Sequence, residues 1–396
     1  MHIESVDFFY LSLPVIQDIG DGSQDALLVR VRAGSYEGWG ECEAAPLPSI
    51  AALVCPMSHS ACKPVAASVL GQPLDDRADI ARISQLVRRN SLDLLQADHT
   101  LSGIDIALWD LLGKRLQEPV YRLLGYDKAY PKTAYASVLF GNTAQETLEK
   151  ARRIRASGFC AAKFGWGPYG LGSVAADEAQ VRAAREGVGP DLTLLIDAGT
   201  VWGEDVGAAA ERLPALVECR AGWLEEPFVS GALHAYATLA EIANERTDFR
   251  VRLAGGESAH NPYMARHLIV HGGISFVQID TGRVGGITNA DEVAHFARWR
   301  GVTYVNHTFT TPLALSASLQ PFAGIEDAAI CEYPVEASAL AHDFTLESLP
   351  VDAAGEVRVP ERPGLGMTPD VDALRQYLVP VEIRVKGELL YRTPEL

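Results

Sequence analysis

The sequence predicts an α/β fold: a parallel barrel of seven strand–helix units and a closing eighth strand, with a separate α+β lobe before it. Three observations carry this reading. From residue 133 onward eight short apolar runs recur, each ending in a polar or ionisable residue, and their ends lie 23 to 34 residues apart. That spacing suits one strand plus one helix per repeat. The segments between the runs carry helix start and stop signals. The first 130 residues and the tail lack this rhythm.

In chain order, residues 27–34 (LLVRVRAG) and 36–44 (YEGWGECEA) read as two strands joined by a turn. A helical stretch follows over 99–117, with Ile104, Leu108, Leu111 and Leu112 on one stripe and Pro119 closing it. The barrel runs are Thr133–Ser137, Cys160–Lys163, Leu192–Asp197, Gly222–Glu226, Val251–Glu257, Ile274–Asp280, Val302–His307 and Ala328–Glu332. Between the first two, Asn142 or Thr143 can cap a helix, with Glu146 in its first turn and Gly158 as its stop. Residues 176–189 and 287–301 repeat that plan. No long helix follows Glu332, so the last unit is a lone strand. The tail segment 381–390 (VEIRVKGELL) reads as a strand returning to the first lobe. The expected domains are 1–130 (α+β capping lobe), 131–360 (barrel) and 361–396 (returning tail).

The composition narrows the function. Of 396 residues 48% are hydrophobic and 21% charged, and the net charge is −17. An acidic globular chain is expected to bind neither nucleic acid nor anionic membrane, both of which call for clustered Lys and Arg. No apolar run approaches a membrane span, and residues 1–15 lack a secretory signal, so a cytoplasmic protein is expected. Six Cys without a CxxC pair exclude a disulfide scaffold or zinc ribbon; Cys160, Cys219 and Cys331 read as small buried hydrophobes.

In a parallel barrel the carboxyl ends of the strands form the active-site mouth. Here those ends carry Lys163, Asp197, Glu225, Glu257, Asp280, His307 and Glu332. So many ionisable groups at one mouth repel and desolvate one another unless a cation and a function hold them. Asp197, Glu225 and Glu257 fall on adjacent strands without a nearby thiol, a hard-oxygen set suited to Mg²⁺. Glu225 and Glu226 alternate faces, and the pattern alone leaves open which points inward; the other is expected in a barrel-wall salt bridge. Asp280 and His307 end neighbouring strands, where a carboxylate can hold an imidazole for proton transfer. Lys163 lies across the barrel from His307. A base on either side of a carboxylate held by a cation is suited to abstracting the proton α to that carboxylate.

These residues resemble the enolase superfamily, mandelate racemase / muconate lactonizing enzyme branch. The likeness runs through SGIDIALWDLLGK, Lys163, LLIDAG, WLEEP, GGES, QIDTGRVGGIT, VNH, ICEYP and PGLG in that order. It implies a (β/α)7β modified TIM barrel with an N-terminal α+β capping domain completed by the C-terminal tail. It also implies one Mg²⁺ per subunit on Asp197, Glu225 and Glu257, the first Glu of LEEP being the ligand. Lys163 and His307 would be the acid/base pair, Asp280 the partner of His307, and Glu332 a hydrogen-bonding partner of the substrate carboxylate. Loops around Ile16–Ser23 and Leu47–Ser58 would cap the mouth, and Ser137, Trp166 and His59 are candidate substrate contacts. The family's Lys-x-Lys at the second strand is Ala161-Ala162-Lys163 here; Lys163 is matched to the second Lys because it leads into the Phe-Gly turn. The expected activity is dehydration of an acid sugar to a 2-keto-3-deoxy acid, with racemisation, epimerisation or cycloisomerisation on the same residues as the alternative. The expected partner is a small-molecule carboxylate substrate, and relatives imply a homo-oligomer, dimer or octamer.

Two rivals are weaker. Residues 165–170 (GWGPYG) match GxGxxG, but Pro168 interrupts the phosphate turn and the motif falls in mid-chain, against a dinucleotide-binding oxidoreductase. A barrel that has lost catalysis would be expected to lack Lys163, Asp280 or His307, and all three are present.

Overall fold

A computed structural model describes residues 1–396. The capping lobe opens with β1 (Ser5–Ser12), β2 (Asp25–Ala33) and β3 (Tyr36–Cys42), an antiparallel sheet in that order. Helices α1 (Pro46–Val54), α2 (Arg77–Asn90) and α3 (Ala97–Leu116) follow. The single stripe expected on α3 is not what forms: every residue from Ala97 to Gly113 except Asp98 is buried. The helix is clasped on two sides. Gly38 and Gly40 let β3 lie directly on it, since a Cβ at either would fall 2.0 and 2.2 Å from the Ala107 and Gly103 carbonyl oxygens. On another side Asp105 accepts from the Thr288 backbone N–H (3.0 Å) and hydroxyl (2.5 Å), capping the barrel helix Ile287–Trp299 from the neighbouring lobe.

The barrel comprises β4 (Lys132–Leu139), β5 (Ala161–Gly165), β6 (Thr193–Asp197), β7 (Ala221–Glu225), β8 (Arg252–Gly255), β9 (Phe276–Asp280), β10 (Thr303–His307) and β11 (Ile330–Pro334). All eight are parallel, in the order β10-β9-β8-β7-β6-β5-β4-β11. Helices intervene, as over Ala144–Ala156, where Thr143 caps through Glu146 N (3.2 Å). After β11 come only short α-helices, Ala339–His342 and, in the tail, Val371–Leu374. No ladder joins β10 to β11; the Asn306 side chain bridges that seam, accepting from Glu332 N (2.9 Å) and donating to Glu332 O (3.3 Å).

Several strand ends differ from the sequence reading. β5 runs two residues past Lys163, to Gly165, because Phe164 and Gly165 still pair with Ile196 and Asp197. β8 ends at Gly255, and Gly256, at φ +126°, turns the chain so that Glu257 follows in the loop. Cys160 is exposed rather than buried, standing just before β5.

Inside the barrel Tyr135, Ala161, Leu195, Trp223, Ala254 and Val305 form a dry floor. The ionisable residues stand above it. A short strand β12 (Glu356–Val357) pairs antiparallel with β4, and the tail ends in a hairpin, β13 (Glu382–Val385) and β14 (Glu388–Arg392). The tail returns to the capping lobe: Val379 N donates to Tyr10 O (2.8 Å), Tyr391 Oη to Phe8 O, and Arg30 to Glu395 O (3.0 Å). No helix is long and apolar enough to cross a membrane.

Candidate active site

Because side chains on a strand alternate between faces, the inward positions of β5 are Ala161, Lys163 and Gly165, in rising order toward the mouth. Gly165 is level with Asp197, while Lys163 is one layer deeper, level with Leu195. A Cβ at position 165 would fall 2.6 Å from Asp197 Oδ2, so glycine leaves that carboxylate its place. The Lys163 ammonium is ringed by acids: Glu225 Oε1 at 2.6 Å, Glu332 Oε1 at 2.8 Å and Asp197 Oδ2 at 3.5 Å. Burial disfavours its charge, but Glu225 and Glu332 outweigh burial and hold its pKa well above the usual lysine value.

Asp197, Glu225 and Glu257 are buried, and each brings one carboxylate oxygen within 4.8 Å of the others. Burial pushes Asp197 up to about 6 despite Lys163, and raises Glu225 well above the ordinary range. Asp197 and Glu225 thus resist ionising, whereas His307 draws the Glu257 carboxyl below the ordinary range against burial; a cation among the three would relieve the first two. Trp223 Nε1 donates to Glu225 Oε2 (3.0 Å) and fixes its orientation. Glu226 points the other way, accepting from Tyr236 Oη (2.6 Å) and Gly256 N (2.7 Å). It is thus held in the wall by hydrogen bonds, not by the salt bridge the sequence suggested.

On the far side His307 Nδ1 meets Asp280 Oδ2 at 2.7 Å, and its Nε2 lies 3.0 Å from Glu257 Oε2 and 3.9 Å from Glu332 Oε2. Burial lowers the imidazole pKa, but Glu257, Glu332 and the Asp280 contact raise it well above the ordinary value on balance. Glu332 accepts from Ser137 Oγ (2.8 Å) and Thr308 N (2.8 Å), so its carboxylate is aimed and satisfied.

Two domain families match the chain: "Enolase C-terminal domain-like" over residues 146–373, and "Mandelate racemase / muconate lactonizing enzyme, N-terminal domain" over 16–125. The chain belongs to the enolase superfamily, mandelate racemase / muconate lactonizing enzyme branch. Among relatives of this superfamily, D-galactarolactone cycloisomerase of Agrobacterium fabrum is 32% identical over 71% of this chain and 74% of its own. Arabinonate dehydratase of Saccharolobus solfataricus is 30% identical over 68% of this chain and 69% of its own. The crystal structure of a predicted mandelate racemase from Rhodobacter sphaeroides is 60% identical, with a TM-score of 0.93 covering 99% of each chain. This protein is an enzyme, and its curated relatives are acid-sugar dehydratases and cycloisomerases.

In a parallel barrel the active site lies at the carboxyl ends of the strands, and here that mouth is a cavity of about 260 Å³. Lys163, Asp197, Glu257 and His307 line its base, with Ser137 and Trp166 in its wall. Trp166 is 43% exposed and adopts φ +55°, its ring packed against Gly20 and Gly199. Tyr169 of the same loop is buried and stacks on Phe140. Of the two expected capping loops, Ile19–Gly22 lines the cavity; residues 47–58, largely helix α1, do not. His59 also stands apart, paired with Asp93 (3.0 Å) on the lobe surface.

Sequence reasoning missed Glu43 and Arg283, which line the cavity and form a two-pronged ion pair, one contact at 2.8 Å. Arg283 sits inside the QIDTGRVGGIT motif, a signal within reach; its partner is 240 residues away and carries none.

Proposed function

We propose that this enzyme is a Mg²⁺-dependent acid-sugar dehydratase acting through proton abstraction α to the substrate carboxylate. Asp197, Glu225 and Glu257 would hold the ion; three hard oxygens with no thiol or imidazole in the set suit Mg²⁺. Bound there, the ion supplies positive charge beside the substrate carboxylate and so acidifies the neighbouring C–H.

The observation that carries the reading is the His307–Asp280 pair, whose imidazole lines the same cavity as Asp197 and Glu257 of the carboxylate trio. With Glu257 drawn to the ion and no longer paired to Nε2 (3.0 Å), His307 would take the C2 proton there while Asp280 holds Nδ1 and balances the imidazolium. Lys163, matched in the sequence to a catalytic base, fits a different task here. Held between Glu225 and Glu332 one layer below Gly165, it would stay an ammonium that balances these buried acids. The C3–O bond then breaks, and the proton on His307 leaves with the hydroxyl as water. The enol that remains tautomerises to the 2-keto-3-deoxy acid. Racemisation calls for a second base on the opposite face, and the group there, Lys163, is ion-paired with Glu225 and Glu332. Cycloisomerisation is the second reading, favoured by the similarity to D-galactarolactone cycloisomerase. On that reading a ring oxygen takes the place of the departing hydroxyl.

The test is a mass-spectrometric screen of the protein with Mg²⁺ in D₂O against acid sugars and their lactones. Loss of one water with a keto product supports dehydration. Ring opening without loss of mass supports cycloisomerisation, and deuterium gain at C2 without either supports racemisation. No exchange and no product across the library would overturn the proposal.

A further inference from the structure

The walls of the cavity hold a charge inventory that bears on the far end of the substrate. We infer that the enzyme takes a sugar mono-acid, one carboxylate followed by a neutral polyhydroxy tail, and rejects the corresponding diacid; this rests on the reaction proposed above.

One carboxylate is provided for by the cation site at the base of the cavity. A second, at the other end of the molecule, would need a second free cation. Apart from the ion-paired Lys163, Arg283 is the one Lys or Arg lining the inner cavity, and its charge is already matched by an acid. Its Nε and Nη2 grip Glu43 (2.8 Å from Nη2), and Nη1 faces the Glu257 backbone carbonyl at 3.4 Å. Glu43 is itself buried, and Arg283 and His307 hold its carboxyl below the ordinary value against burial, so the pair is a fixed, neutral unit.

Beyond Trp166 the cavity opens into an outer chamber of about 540 Å³, which shares Ile19, Gly20 and Leu139 with the inner one. Its single cation, Lys150, is likewise engaged, with Glu336 at 2.7 Å and the Leu139 carbonyl at 3.0 Å. What remains unpaired is acidic. The Asp21 carboxylate of the capping loop accepts only from the Ser23 N–H (2.8 Å) and hydroxyl (2.6 Å), and Asp18 is exposed on the chamber rim. A neutral tail offers hydroxyls to these acceptors and an apolar sugar face to Trp166 and Ile19. A terminal carboxylate would meet like charge with no partner, which costs affinity steeply in a partly desolvated site.

The experiment compares kcat/KM of the Mg²⁺-loaded enzyme for aldonates and the aldarates of the same configuration: galactonate with galactarate, gluconate with glucarate, mannonate with mannarate. The expected result is a preference of about tenfold or more for the aldonate of whichever pair reacts. Glu43→Gln frees the Arg283 guanidinium and should raise aldarate turnover relative to aldonate by about tenfold. Asp21→Asn, on the half-buried capping loop, should move the ratio the same way by a smaller factor if Glu43→Gln fails to fold. Equal or better turnover of an aldarate by the wild type overturns this inference and leaves the dehydration reading standing. Absence of both turnover and C2 deuterium exchange in either series overturns both together.

Discussion

Between β10 and β11 the barrel lacks a backbone ladder, and the Asn306→Ala substitution tests what holds that seam closed. Asn306 is fully buried, takes the Glu332 N–H at 2.9 Å, and donates to Glu332 O at 3.3 Å and Ser318 Oγ at 3.0 Å. Alanine leaves the Glu332 N–H and C=O in a dry wall with no partner. Each buried orphan costs about 1–3 kcal/mol, so the expected loss is about 3 kcal/mol. Urea denaturation should show the midpoint falling with the slope unchanged. Ser318→Ala spares both Glu332 bonds and should cost about 1 kcal/mol or less. The Glu332 carboxylate that Ser137 and Lys163 share hangs from the same backbone, so Asn306→Ala should also lower kcat. A stability loss no larger than that of Ser318→Ala, with kcat unchanged, would refute the seam's role.

Other outcomes follow from the buried acids. Burial pushes the Asp105 carboxyl from 3.8 up to about 7, against its bonds to Thr288. The folded state therefore binds the proton more tightly than the unfolded one. The stabilisation from that proton is full below pH 3.8 and is lost as pH rises through about 7. The window is worth up to roughly 4 kcal/mol. Asp105→Asn, which mimics the protonated acid, should match the wild type near pH 4 and exceed it at pH 8 in denaturation; an equal gap at both pH values would contradict this. Glu225→Gln should weaken Mg²⁺ binding at least about tenfold in calorimetry, and Glu226→Gln far less, because only Glu225 faces Asp197 and Glu257. The reverse order would exchange their places.

How far the sequence disclosed this molecule depends on the distance over which each feature is decided. The barrel was legible because its signal is local and repeated: a short apolar run, an ionisable end, a capped helix such as Thr143 to Ala156. Asp280 and His307 were legible because they end consecutive strands, so their meeting needs only the barrel's regular order. Level was harder. Whether β5 ends at Lys163 or at Gly165 is settled by pairing with β6, and two residues there move a side chain by a whole layer. The choice between Glu225 and Glu226 likewise waited on Trp223 below and Tyr236 behind. The burial of α3 on several faces comes from contacts with β3 and with Thr288, neither visible in its own periodicity. Glu43–Arg283 and Asn306–Glu332 are decided by tertiary approach alone.

In the proposed mechanism His307 moves the proton while Lys163 holds charge. Deuterium exchange at C2 of a reacting acid sugar, followed by NMR in D₂O with Mg²⁺ at saturation, tests it most directly. His307→Asn should slow exchange by roughly 10²–10⁴-fold. Lys163→Arg, which keeps the cation but cannot serve as a base, should retain measurable exchange with a raised KM. Exchange at the wild-type rate in His307→Asn, or its abolition at saturating substrate in a folded Lys163→Arg, would contradict the account.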